Sequence, residues 1–199
     1  MRNAYLTTLG VFTAILTVVA LALLLAPGFA GSVTADSDNN GGLEFKARLN
    51  GGQEVTDPPG GVVTDTVGKA RFEFNDAKTE LEFELEVEDG VRVTQAHIHC
   101  APAGSNGPIV IFLGGFHDKG WDVDGDWIGD ATATDANITN NACGSTLAEI
   151  AQAMAEGRTY ANVHTVAHGA GEVRGQIQAT NTTNNGNGHG GDNDRQKDD

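Results

Sequence analysis

His97 and His99 are separated by one residue in Gln95-Ala96-His97-Ile98-His99. In an extended chain that spacing puts both imidazoles on one face, with Cα atoms about 6–7 Å apart, close enough to share one metal ion. Ala96 and Ile98 then take the opposite, core-facing side. Three more histidines lie downstream in regions compatible with the same job. In Tyr160-Ala161-Asn162-Val163-His164, Ala161 and Val163 make the core face, so His164 points away from it. His168 follows in a Gly-rich turn, and His117 sits in the loop Gly114-Gly115-Phe116-His117-Asp118. In Val173-Arg174-Gly175-Gln176-Ile177 the same parity directs Arg174 away from the core. Imidazole sets suit copper or zinc. The expected ligands are therefore drawn from His97, His99, His117, His164 and His168, with copper as the first expectation and zinc as the alternative. An H-x-H pair alone is weak evidence; it is imidazoles on independent segments that give it weight.

The elements that must position these groups are strands. Leu43, Phe45, Ala47 and Leu49 alternate with Glu44, Lys46 and Arg48. Ala70, Phe72 and Phe74 alternate with Arg71 and Glu73, and Leu81, Phe83, Leu85 and Val87 alternate with glutamates. A period of two with one wet face is the mark of half-buried strands. Further strands are expected over 93–99, 108–113, 159–165 and 172–179. Asn50-Gly51-Gly52, Pro58-Pro59-Gly60-Gly61, Asn75-Asp76 and Asp89-Gly90 read as turns between strands. Thr146 and Glu149 form a capping box ahead of helix-forming residues 147–155, and Gly157 suits the position after the helix end. These elements predict an all-β fold, a Greek-key β-barrel or sandwich with one short helix in a long connection.

The chain is acidic, with 12 Lys and Arg against 27 Asp and Glu in 199 residues and a net charge of -15. Such a surface repels phosphates, which argues against nucleic acid as a partner. Arg2 followed by an apolar run from Leu9 to Ala26 and small-residue cleavage patterns near Ala30 and Ala35 reads as a secretory signal peptide over 1–35. An uncleaved N-terminal anchor is the alternative, and contact with a membrane is expected only in that case. Both readings place the domain outside the cytoplasm. Cys100 and Cys143 are the only cysteines; in an oxidising compartment they are expected to form one disulfide. Residues 36–42 read as a linker, 43–179 as the domain, and 180–199 as a polar tail too poor in apolar residues to fold.

Asp122, Asp124 and Asp126 have the spacing that opens a calcium loop, but the terminal acidic ligand and flanking helices are missing. A solvated turn is the expectation there. No Ser/His/Asp or Cys/His arrangement and no phosphate-cradling loop stands out.

The segments Phe45–Val55, Ala96-His97-Ile98-His99-Cys100, Gly107–Ile111 and Gly171–Ile177 resemble those of chordin-domain (CHRD) proteins. The order of the chemical residues is also similar to that of copper/zinc superoxide dismutases, which are Greek-key β-barrels. That second resemblance implies copper ligands at His97, His99, His117 and His164, a disulfide between Cys100 and Cys143, and Arg174 as the group that attracts a small anionic substrate, superoxide. No histidine lies between His117 and His164, so the resemblance implies a copper-only form that converts superoxide to O2 and hydrogen peroxide; an extracellular protein that binds or scavenges copper without turnover and a metal-free cell-surface interaction module are the alternatives.

Overall fold

The computed structural model describes residues 42–180. The expected signal peptide, nearly all of the linker and the polar tail lie outside these residues. Eight strands and one helix follow in order: β1 (Leu43–Asn50), β2 (Val67–Phe74), β3 (Leu81–Cys100), β4 (Ile109–Gly114), β5 (Trp121–Ala133), α1 (Leu147–Ala155), β6 (Thr159–Thr165), β7 (Val173–Gln176) and β8 (Gln178–Ala179). Every strand pairing is antiparallel.

Strands β2, β1, β7, β6 and β3 are hydrogen-bonded in that order, and β3 returns to β2, so five strands close into a barrel. Closure removes the free edges that an open sheet would present. The first half of β3 pairs with β2 and β5, and its second half pairs with β6 and β4. The all-β barrel expected from the alternation is thus the observed architecture. Phe45, Phe72, Phe74, Leu81, Leu85, Ile98, Val163 and Val173 converge inside it. These are the apolar members of each alternating run, which explains the choice of inward face.

Two turn signals behave otherwise. Asp89-Gly90 does not end a strand: Leu81 to Cys100 is one continuous strand of 20 residues. Asp89 and Arg92 both adopt positive φ (54°), and the β3–β5 register shifts between Val87 and Val93. The polar dipeptide is absorbed as a bulge that bends the strand, the usual cost of an unpaired extra residue. The acidic stretch Asp122–Asp130 is likewise not a turn but part of β5, laid against β3 from Trp121 to Ala133. The strand expected over 172–179 is divided at Ile177 into β7 and β8.

Helix α1 forms where its capping box lies. Thr146 accepts from the Glu149 amide, and the Glu149 side chain reaches back to Thr146. Gly157 adopts φ +68° just past the helix end, a conformation that favours glycine. The helix is less superficial than its place in a long connection suggests, because Leu147, Ile150 and Met154 are buried in the barrel core. The Cys100–Cys143 disulfide is present and ties the end of β3 to the segment just before this helix.

Candidate metal centre

The side of β3, β6 and β7 opposite the core carries a continuous polar layer. Register places Gln95 beside His164, His97 beside Asn162, and His99 beside Tyr160. Across the next pairing, Asn162 lies beside Arg174 and Tyr160 beside Gln176. The period-two parity read from the sequence is correct in every case. The exposure it suggested is not, for this outer face is covered. All seven residues of β6 are buried, and His97, His99 and His164 are 0%, 9% and 6% exposed. Three connections supply the cover: Glu54 after β1 accepts from Asn162, Gly107 before β4 meets His99, and Gly169 before β7 meets His164.

Ring nitrogens of His97, His99 and His164 lie within 4.8 Å of one another. His99 Nδ1 is 2.9 Å from the Gly107 carbonyl oxygen, and His164 Nδ1 is 3.1 Å from the Gly169 carbonyl oxygen. A carbonyl can only accept, so both imidazoles carry a proton on Nδ1 and present a bare Nε2. Carbonyl bonds of this kind are how proteins orient metal-binding histidines. His97 Nδ1 stands 3.1 Å from the bare His164 Nε2. Two nitrogens each about 2.0–2.1 Å from one ion adopt a similar separation at an angle between square and tetrahedral.

Electrostatics favour neutral rings. Burial pushes the His97 imidazole down to about 3, with His164 and His99 adding to the effect. Burial also lowers His99 and His164, against the raising influence of their carbonyl partners. Neutral imidazole is the form that binds a metal. The Nε2 atom of His99, the nitrogen its bond to Gly107 leaves bare, is buried with no hydrogen-bond partner. Leaving such an atom unpartnered costs about 1–3 kcal/mol, which a fold concerned with stability alone would avoid. The donor set therefore fits an ion such as copper(II) or zinc.

The rings are held by aromatic neighbours. His97 meets Phe112 edge-on at 4.6 Å, and His99 lies parallel to Tyr160 at 4.8 Å and 7°. Arg174 is 2% exposed, and its guanidinium carbon sits 3.4 Å from the centre of the Tyr160 ring. Its terminal nitrogens donate to Asn106 Oδ1 and to the Pro102 and Ser105 carbonyls.

Of the five histidines singled out by type, three come together. His117 stacks on Trp121 at 4.0 Å and His168 sits in the β6–β7 turn, where its amide donates to Thr165; neither belongs to the cluster. The surrounding residues Tyr160, Asn162, Glu54, Gly107 and Gly169 were not singled out by chemistry. Tyr160 and Asn162 share the parity of His164 and were readable on that ground. The carbonyls of Gly107 and Gly169 carry no side-chain signal.

No curated protein matches the chain, and no solved structure does. A family model, the CHRD domain, matches residues 45–177, from the first core phenylalanine of β1 to the residue just after β7. The match spans the whole barrel and every residue of the histidine cluster, and the chain belongs to the CHRD domain family.

Proposed function

We propose that this domain is an exported copper-binding protein in which His97, His99 and His164 hold one ion. The observation that carries the reading is the convergence of three neutral, buried imidazoles, two of them with Nδ1 tied to a carbonyl and Nε2 left bare. Copper is preferred to zinc on the likeness to copper-only dismutases and on export; the donor set itself accepts either. The disulfide accords with an oxidising compartment outside the cytoplasm.

The reaction such a centre would serve is disproportionation of superoxide. Bound copper would supply one-electron exchange, oxidising one superoxide to O2 and reducing a second, which takes up two protons to give hydrogen peroxide. The chain's own part is to hold the three imidazoles neutral and oriented, with His97 packed against Phe112 and His99 against Tyr160. In this reading Arg174 would supply local positive charge, needed on a protein whose net charge of -15 repels a superoxide anion.

A second reading, copper held without turnover, is favoured by one observation. The Arg174 guanidinium is buried and its terminal nitrogens already donate to three acceptors. Purified full-length chain loaded with copper separates the two. One copper per chain with superoxide disproportionation well above that of a His99→Ala variant supports the enzyme. One copper per chain without turnover supports the holding protein. The absence of stoichiometric copper removes both.

A further inference from the structure

Arg174 is connected to His99 by two routes. The first runs through Tyr160, whose ring has the guanidinium 3.4 Å from its centre and lies parallel to His99. The second runs through the connection of residues 101–108. Arg174 Nη2 donates to the carbonyls of Pro102 (3.3 Å) and Ser105 (2.9 Å), and Nη1 donates to Asn106 Oδ1 (3.2 Å). The next residue, Gly107, does two things: its carbonyl accepts from His99 Nδ1 at 2.9 Å, and its amide donates to Tyr160 Oη at 3.3 Å. The connection is also closed at its base, where the Cys100 amide donates to the Pro108 carbonyl. Residues 102–106 are otherwise exposed; apart from the Arg174 bonds, the connection is tied by Asn106 Nδ2, which donates to the Val55 carbonyl at 3.0 Å, and by the Ser105 amide, which donates to the Pro102 carbonyl.

We propose that Arg174 is a positioning residue for His99: its guanidinium fixes the 101–108 connection so that the Gly107 carbonyl holds His99 with the proton on Nδ1 and Nε2 bare. This rests on the reading of the histidine cluster as a metal centre. Three acceptors on three residues, reached while lying flat on a ring, require the planar fork of arginine. A lysine ammonium carries the same charge but cannot span them. At least three of the five guanidinium donors are spent on this connection. The residue therefore acts on His99 through the chain, and its charge serves as a secondary feature.

The test uses the full chain with Arg174→Lys, Arg174→Met and Asn106→Ala. In metal-free protein, long-range proton–nitrogen NMR of the His99 ring reads which nitrogen is protonated. Wild type is expected to show a single Nδ1-protonated form. Both Arg174 variants are expected to show a mixture of the two forms and about 10–100-fold weaker copper affinity by competition titration, the range typical of losing an orienting partner. Asn106→Ala, altered at an exposed site, removes one of the three contacts together with the Asn106–Val55 bond and shifts both readouts in the same direction by less. A lysine variant that behaves like methionine separates shape from charge. A wild-type His99 spectrum and copper affinity in Arg174→Lys overturns the proposal; if the Arg174 variants do not fold, a wild-type His99 spectrum in Asn106→Ala does so. Failure of wild type to bind copper would remove the metal reading, and the His99 spectra would still decide the positioning.

Discussion

The histidine cluster makes an unusual demand on stability, and His97→Leu exposes it. His97 is fully buried, which for most residues makes replacement costly. Truncating or reshaping a well-packed buried side chain typically costs about 2–5 kcal/mol. Here the ledger differs. Leucine removes a buried Nε2 that has no partner, a relief of about 1–3 kcal/mol. It also strips His164 Nε2 of its contact with His97 Nδ1, a penalty of the same order. The edge-on contact with Phe112 adds a loss of about 0.5–1.5 kcal/mol. The first two terms cancel and the third remains, so the metal-free variant should be about 0.5–1.5 kcal/mol less stable than wild type by urea unfolding in the presence of a chelator. With copper the outcome diverges. An ion at a hundred times its dissociation constant stabilises the folded state by about 2.7 kcal/mol, or roughly 10 °C in Tm for a domain of this size. Wild type should show that gain and His97→Leu should lose it. A variant more than about 3 kcal/mol less stable without metal would mean that the imidazoles hold the fold. An undiminished copper-induced rise would mean that His97 is not a ligand.

Two further outcomes follow from the surroundings of the site. The disulfide closes a separation of 43 residues, for which the chain-entropy model gives about 4 kcal/mol. The double variant Cys100→Ala/Cys143→Ala should lose about that much by urea unfolding, and a loss below about 1 kcal/mol would show that the pair does not constrain the unfolded chain. Glu54 is pushed up to about 7 by burial, against the lowering influence of Asn162 and Arg174. Its folded value lies above its ordinary value of 4.5, so the folded state binds the proton more tightly and its stabilising effect is present below pH 4.5 and lost as pH rises through 7. Compared with wild type, Glu54→Gln should therefore be relatively more stable at pH 8 than at pH 4.5, by on the order of 1 kcal/mol once screening of the partly exposed carboxyl by water is allowed for. An equal difference between the two proteins at both pH values would contradict the burial of that carboxyl.

Much of the barrel was legible because its strands alternate cleanly. Phe45, Phe72, Phe74 and Leu85 turn inward at period two, and that pattern fixes both strand and face. The capping box at Thr146 and Glu149 located α1 for an equally local reason. What failed was local information overridden by pairing. Asp89-Gly90 carries a strong turn signal, yet pairing with β2 up to Glu88, with β5 at Gly90 and with β6 from Val93 carries the strand past it as a bulge. Asp122–Asp130 is too acidic to suggest a strand, but one-sided pairing with β3 leaves its carboxylates in water. In the site, parity placed His97, His99 and His164 together, since all three lie on paired strands. His117 and His168 lie on connections, where no period constrains direction. The burial of the imidazoles was illegible for the same reason: their cover comes from glycine carbonyls and an asparagine–glutamate contact contributed by loops.

The central claim is that one ion sits among three specified imidazoles. Electron paramagnetic resonance during titration of the full chain with copper(II) addresses it most directly. The account predicts one tightly bound copper per chain, with hyperfine coupling to three imidazole nitrogens, reduced by one nitrogen in each of His97→Leu, His99→Leu and His164→Leu and unchanged in His117→Leu and His168→Leu. A spectrum of free or non-stoichiometric copper, or one that loses nitrogen coupling with His117 or His168 in place of these three, would contradict it.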